Sequence, residues 1–224
     1  MPPGYVDPHL AAPPGADAPD EETSHGSPSA GFAPHPGCLL MRTSNRVVLL
    51  GPPGSGKGTQ GAALAEHLGV PYLSTGELLR AQAGLGTDLS RAVAARINGG
   101  DLVPDEMLLS CIREPLSAAF AAGGYVLDGF PRTVSQAEYA EHLGTPDRVV
   151  YLAVPDDVAR VRMNGRKAGA RADDADPAAV EQRLRLFHAQ TEPLLEFYRD
   201  RGVLATVDAA QAPAPVRAAI LDAL

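Results

Sequence analysis

The stretch that most constrains this chain is "RVVLLGPPGSGKGTQ", Arg46 to Gln60. An apolar β-branched run enters a loop with glycine at 51, 54, 56 and 58, and the loop opens into an amphipathic segment. Strand, glycine loop and helix in that order aim backbone N–H groups and the positive end of a helix dipole at one point, which is the geometry of a phosphate site. The glycines allow positive φ and close approach by an oxygen, and Lys57 has the position that reaches β- and γ-phosphates. The nineteen basic residues are seventeen Arg and two Lys, the other being Lys167. Lysine at 57, in a chain so biased toward arginine, points to a site that needs a compact ammonium rather than a wide planar fork.

Beyond Arg46 the pattern alternates short apolar runs with longer amphipathic segments, as a parallel sheet wrapped by helices requires. Residues 46–50, 125–128, 149–154 and 203–207 read as central parallel strands, apolar on both faces. Residues 70–74 read as a weaker fifth strand, demoted by Pro71. Helices are predicted over 56–68, 76–84, 88–98, 105–121, 133–143, 156–166, 178–200 and 214–223. Pro104 marks the start of one, and "TVSQ" from Thr133 to Gln136 reads as a capping box. The helices 76–84 and 88–98 follow one another without a strand between, which predicts a small helical insertion on an α/β sheet.

Residues 1–41 hold nine of the 21 prolines, five glycines and five acidic residues, with no Lys or Arg. Such a segment buries too little to offset its ordering entropy and is expected to be a disordered tail. Met41 stands directly before the structured pattern and offers an alternative start. Removing the tail's charge of −5 from the total of −8 leaves about −3, which argues against nucleic-acid binding. Two cysteines, Cys38 and Cys111, cannot form a disulfide framework or a four-cysteine zinc site, and no apolar run approaches a membrane span. The chain is expected to be cytoplasmic and soluble.

"GGYVLDGFPRTVSQAE" places Asp128 at the carboxyl end of a buried strand, where open α/β sheets bind ligands. A carboxylate there can hold Mg²⁺ through water, although Asp at a strand end is also a common turn residue. The set formed by "GPPGSGKGTQ", "LSTGELLR" (73–80), "GGDLVPDE" (99–106), "DGFPRT" with Gln136, "RMNGR" (162–166), "ARADD" (170–174) and "QRLRLFHAQTEPLLEFY" (182–198) resembles the adenylate kinases, members of the nucleoside monophosphate kinase family. Order and spacing match from about Arg46 to the end.

That resemblance implies a P-loop NTPase-type domain over 42–224, with an insertion for the monophosphate at about 74–103 and a short lid at about 166–176. It implies Mg²⁺-dependent phosphoryl transfer from ATP to AMP. ATP would meet Gly54, Ser55, Gly56, Lys57, Gly58 and Thr59. Gly58 intervenes between Lys57 and the hydroxyl of Thr59, so metal contact through water replaces the direct contact of the common loop. AMP would meet Thr75, Arg80, Asp101, Leu102 and Val103 from the insertion, and Gly129, Phe130, Pro131, Arg132 and Gln136 from the segment after Asp128. The chemistry agrees: Arg80 and Arg132 offer forks to a dianion, and Gln136 can accept from the adenine amino group while donating to the neighbouring ring nitrogen. Gln136 and Thr75 also have plain capping roles, compatible with binding.

Arg162 and Arg166 lie one helical turn apart, Arg171 follows a flexible "KAGA", and Arg183 stands in the next helix. The resemblance assigns Arg162 and Arg166 to ATP, and Arg171 and Arg183 to AMP and the transferred group. Phosphoryl transfer needs positioning and charge stabilisation more than covalent chemistry. Gly99, Gly100, Gly165 and Gly169 are candidate hinges, and the main chain at Gln211 would pass the ATP base. The short spacing between Arg166 and Arg183 leaves no room for an extra β-rich lid, so no structural zinc is expected. A monomer is expected. Two alternatives stay open on the sequence: an acceptor such as CMP, UMP or a deoxynucleotide, and a non-catalytic nucleotide-binding module.

Overall fold

The computed structural model describes residues 45–98, 101–142, 144–165 and 176–224. The expected tail, Arg166, Arg171, Gly99, Gly100, Gly169 and the expected lid apart from Asp176 fall outside these residues.

The five apolar runs become β1 (Asn45–Leu50), β2 (Tyr72–Ser74), β3 (Gly124–Asp128), β4 (Arg148–Ala153) and β5 (Leu204–Asp208). They pair in parallel in the order β2-β3-β1-β4-β5. Leu49 sits opposite Asp128 on one side and Val150 on the other. The chain fills one side of β1 with β3 and then crosses to the other side for β4, so the carboxyl end of β1 is a topological switch point. A crevice opens there because the two connections leave in opposite directions.

Strand alternation sends neighbouring residues of β1 to opposite faces. Val48 and Leu50 join a core with Leu108, Ile112, Leu116, Leu127 and Tyr198, supplied largely by α4 (Asp105–Ala121), α5 (Val134–Glu141) and α8 (Pro193–Asp200). Val47 and Leu49 face Leu64, Ala65, Val216 and Ile220, from α1 (Lys57–Leu68) and α9 (Pro213–Asp222). Each such aliphatic side chain contributes about 1.5–3 kcal/mol on burial, so both faces of the sheet are held. Arg46 and Asp147 lock the entry to β1 and β4: Asp147 accepts from the Arg46 main chain at 2.8 Å and from its guanidinium at 2.7 and 3.3 Å.

The insertion consists of α2 (Thr75–Ala83) and α3 (Asp88–Asn98), anchored by Leu79 and Val93 in the first core. α6 (Asp156–Asn164) follows β4 and ends at Gly165 in a right-handed conformation. The expected single helix over 178–200 is instead α7 (Pro177–Leu186), a π-helical turn over Phe187–Thr191, and α8. Pro193 brings no N–H and its ring collides with the carbonyl four residues back, so the regular ladder cannot continue. The widened turn is closed by the N–H of Glu192, which donates to the carbonyl of Phe187 at 2.8 Å. The capping box at Thr133 is half made: its hydroxyl accepts from the Gln136 N–H at 3.2 Å, while the Gln136 side chain turns elsewhere. Among the described residues, no helix is long and apolar enough to cross a membrane.

Candidate active site

The glycine loop lies at the switch point, between β1 and α1. Gly54 has φ +84°, and a Cβ there would stand 2.5 Å from the carbonyl oxygen of Ala159 in α6. Only glycine lets the loop pack this closely in that conformation. The Lys57 ammonium donates to the carbonyls of Gly51 at 2.6 Å and Pro52 at 2.9 Å, and lies 3.4 Å from the Ser55 hydroxyl. A compact cation therefore fits inside its own loop. No side chain caps the start of α1 and its first turn holds no acidic residue, which leaves that end electropositive.

Asp128 ends β3 beside this loop and is only 7% exposed. Its Oδ2 accepts from the Tyr72 hydroxyl at 3.1 Å, which orients the carboxylate from β2. Burial, and then the negative charge of Asp128, push the Tyr72 pKa up, so the phenol stays a donor. One buried carboxylate beside a phosphate loop suits a hard cation held mainly through water and phosphate oxygens.

The segment after Asp128 is pinned from several directions. Thr75, fully buried, donates to the Asp128 carbonyl at 3.2 Å. Gly129 takes φ +87°, and a Cβ there would collide with the Thr75 hydroxyl. Arg132 donates its Nε to the Gly129 carbonyl at 2.8 Å, and its own carbonyl accepts from Thr191 at 2.9 Å. The Gln136 amide oxygen accepts from the Arg132 N–H at 2.7 Å, and its nitrogen donates to Asp105 at 2.6 Å.

One cleft joins these parts, with an empty volume of about 1320 Å³ including its open mouth. Gly54, Gly56, Lys57 and Gly58 line one part. Thr75, Arg80, Asp101, Leu102 and Val103 line another, with Gly129, Pro131, Arg132, Gln136 and Arg183 completing the wall beside Asp128. Four cations against Asp101 and Asp128 make the lining positive. Ser55 is buried beneath the loop, Thr59 is exposed on α1 outside the lining, and Phe130 is buried in the core at 1% exposure.

Arg162 and Gln211 also lie outside the cleft lining, and they bind each other. The Arg162 guanidinium donates to the carbonyls of Ala209 at 2.7 Å, Ala210 at 3.0 Å and Gln211 at 3.1 Å. This ties α6 to the loop between β5 and α9.

The family model described as "Adenylate kinase" matches residues 49–203. The chain belongs to the adenylate kinase family. It is 44% identical over 185 residues to an adenylate kinase of Stenotrophomonas maltophilia, covering 80% of this chain and 98% of that one. It is 37% identical over 212 residues to one from Streptomyces griseus, with 80% and 97% covered. A third, from a Cyanothece strain, is 41% identical over 180 residues, with 78% and 92% covered.

Several lining or supporting residues of this adenylate kinase family member were not among the expected site residues. Phe187 and Thr191 reach the cleft from the π-helical turn, where a continuous helix was expected. Tyr72 reads as an ordinary strand residue until the sheet sets it beside Asp128. Asp105 reads as a first-turn acid favourable to the dipole of α4, and only the fold brings it to Gln136.

Proposed function

We propose that this cleft transfers a phosphoryl group from Mg²⁺-bound ATP to AMP, giving two ADP. The observation that carries this reading is the continuity of one cleft lined by the phosphate loop in one part and by Arg80, Arg132 and Gln136 in another, with Asp128 at the junction. Lys57 and the loop hold the donor phosphates. Arg80 and Arg132 hold the acceptor phosphate, and Gln136 reads its base against the apolar walls of Leu79, Ile97 and Val103.

The attacking group is an oxygen of the AMP phosphate, already ionised at neutral pH, so no protein base is needed. A bond from that oxygen to the γ-phosphorus forms as the bond to the β,γ-bridging oxygen breaks. Lys57, Arg132 and Arg183, with Arg166 and Arg171, stabilise the charge spread over the transferred group. Asp128 would hold Mg²⁺ through water, and the metal supplies further neutralisation of the phosphate oxygens. Arg162 serves the ATP side by holding the loop at Gln211. Closure of the lid at about 166–176 and of the insertion at about 74–103 would exclude water before transfer. In this reading the enzyme works as a cytoplasmic monomer.

The test is incubation of the protein with Mg·ATP and, separately, AMP, dAMP, CMP, UMP and GMP, measuring nucleoside diphosphate. AMP is expected to be strongly preferred, and Arg132→Ala to abolish turnover. Preference for a pyrimidine nucleotide would overturn the assignment of Gln136. ATP binding without turnover of any acceptor would overturn the enzymatic reading.

A further inference from the structure

Gln136 lines the cleft at 4% exposure, and both ends of its amide are held from behind. Asp105 accepts from Nε2, and the Arg132 N–H donates to Oε1. An amide's oxygen and nitrogen have nearly the same shape, but here chemistry decides between them. An ionised carboxylate only accepts and a main-chain N–H only donates. Turning the amide over would set N–H against N–H and oxygen against carboxylate. Asp105 itself does not line the cleft. It stands at the first position of α4, two residues after the cleft-lining Val103.

We propose that Asp105 is a positioning residue that sets the purine specificity of the acceptor site by locking the Gln136 amide in one orientation. This deepens the reading of the cleft as an AMP site and rests on it. A locked amide has one N–H and one lone pair left for a base, in a fixed order. Adenine offers a ring-nitrogen acceptor beside an amino donor. A 6-oxopurine of the same outline offers a ring N–H beside a carbonyl acceptor, the same two positions with polarity reversed. The locked amide pairs with the first and meets the second donor to donor and acceptor to acceptor. An amide free to turn over accepts either base.

Sites that hydrogen-bond their ligand reject a mispaired analogue strongly, because their polar groups are left unmatched. Arg132 supplies a second anchor, so loss of Asp105 weakens the lock without removing it. The experiment compares kcat/KM for AMP and for inosine monophosphate, which lacks the 2-amino group and so matches AMP in size. The ratio is independent of how much of each preparation is folded. Asp105→Ala is expected to narrow the preference for AMP by about tenfold, mainly through KM for AMP, with kcat within about threefold. Asp105→Ser, which keeps a good helix start but is too short to reach Nε2, should behave alike. Asp105→Asn, whose amide can present either an acceptor or a donor to Gln136, should narrow the preference no more than Ala does. An unchanged ratio in both the Ala and Ser variants would overturn the proposal. Failure of the wild type to use AMP would instead overturn the function on which it rests.

Discussion

The guanidinium of Arg162 is hydrogen-bonded to the main-chain carbonyl of Gln211, 49 residues further along the chain. With the bonds to Ala209 and Ala210, three carbonyls of one loop converge on one planar fork. The Gln211 side chain turns away and donates to Asp208 at 3.2 Å. Arginine suits this work because its donors are fixed in a plane, whereas an ammonium on a flexible stem cannot meet all three carbonyls with the same order. Arg162→Lys is therefore expected to raise KM for ATP about tenfold with KM for AMP little changed. Gln211→Ala should leave both within about twofold, since it removes no carbonyl. Initial-rate kinetics with each substrate varied in turn decide this, and equal sensitivity at both positions would count against a main-chain role.

The contact between Gly54 and Ala159 gives a second expectation. A methyl group at residue 54 meets the Ala159 carbonyl at 2.5 Å, and φ +84° is a conformation that residues with a Cβ avoid. Backbone strain of this kind costs about 1–3 kcal/mol where the surroundings hold, and more where they cannot give. Gly54→Ala should lower the urea midpoint and reduce ATP turnover together, because the phosphate loop must shift off α6 to make room. Gly69→Ala is the control: its φ is +66° but nothing lies near the added methyl, so it should cost stability without the loss of turnover. Equal loss of activity in both would point to general destabilisation.

How far the sequence could be read depends on the range of the interaction. β1, its glycine loop and α1 were legible because "RVVLLGPPGSGKGTQ" encodes strand period, positive-φ positions and helix start within fifteen residues. The five strands and the paired helices of the insertion were legible for the same local reason. The π-helical turn was not, because Pro193 at the start of α8 is compatible with a kink, a new helix or a widened turn. The partners of Asp128 and Gln136 were beyond reach as well. Tyr72 is 56 residues from Asp128 and Asp105 is 31 from Gln136, distances that only the sheet order β2-β3-β1 and the placement of α4 bring to hydrogen-bond length.

His188, in the π-helical turn, sets up a dependence of stability on pH. Its Nδ1 lies 3.0 Å from Glu192, and its Nε2 lies 3.1 and 3.2 Å from the two oxygens of Asp156 in the first turn of α6. Arg160 stands 3.8 Å from the same aspartate and is also paired with Glu181 of α7. Hydrogen bonding to Glu192 raises the His188 pKa above its ordinary 6.5; partial burial opposes this, and Asp156 adds to the rise. The folded state therefore holds the proton more tightly than the unfolded chain does. The sign follows from linkage: the contribution is complete below the unfolded value of about 6.5 and is lost as pH climbs through the raised, folded value. The ring is 46% exposed, so solvent screens the pair and the effect is modest. His188→Gln keeps the size of the side chain without its titration. Urea midpoints of the two proteins between about pH 5.5 and 8.5 should differ most at the acidic end and converge as pH rises. A gap that stays constant, or widens toward alkaline pH, would show that the imidazolium does not bridge α6 and the π-helical turn.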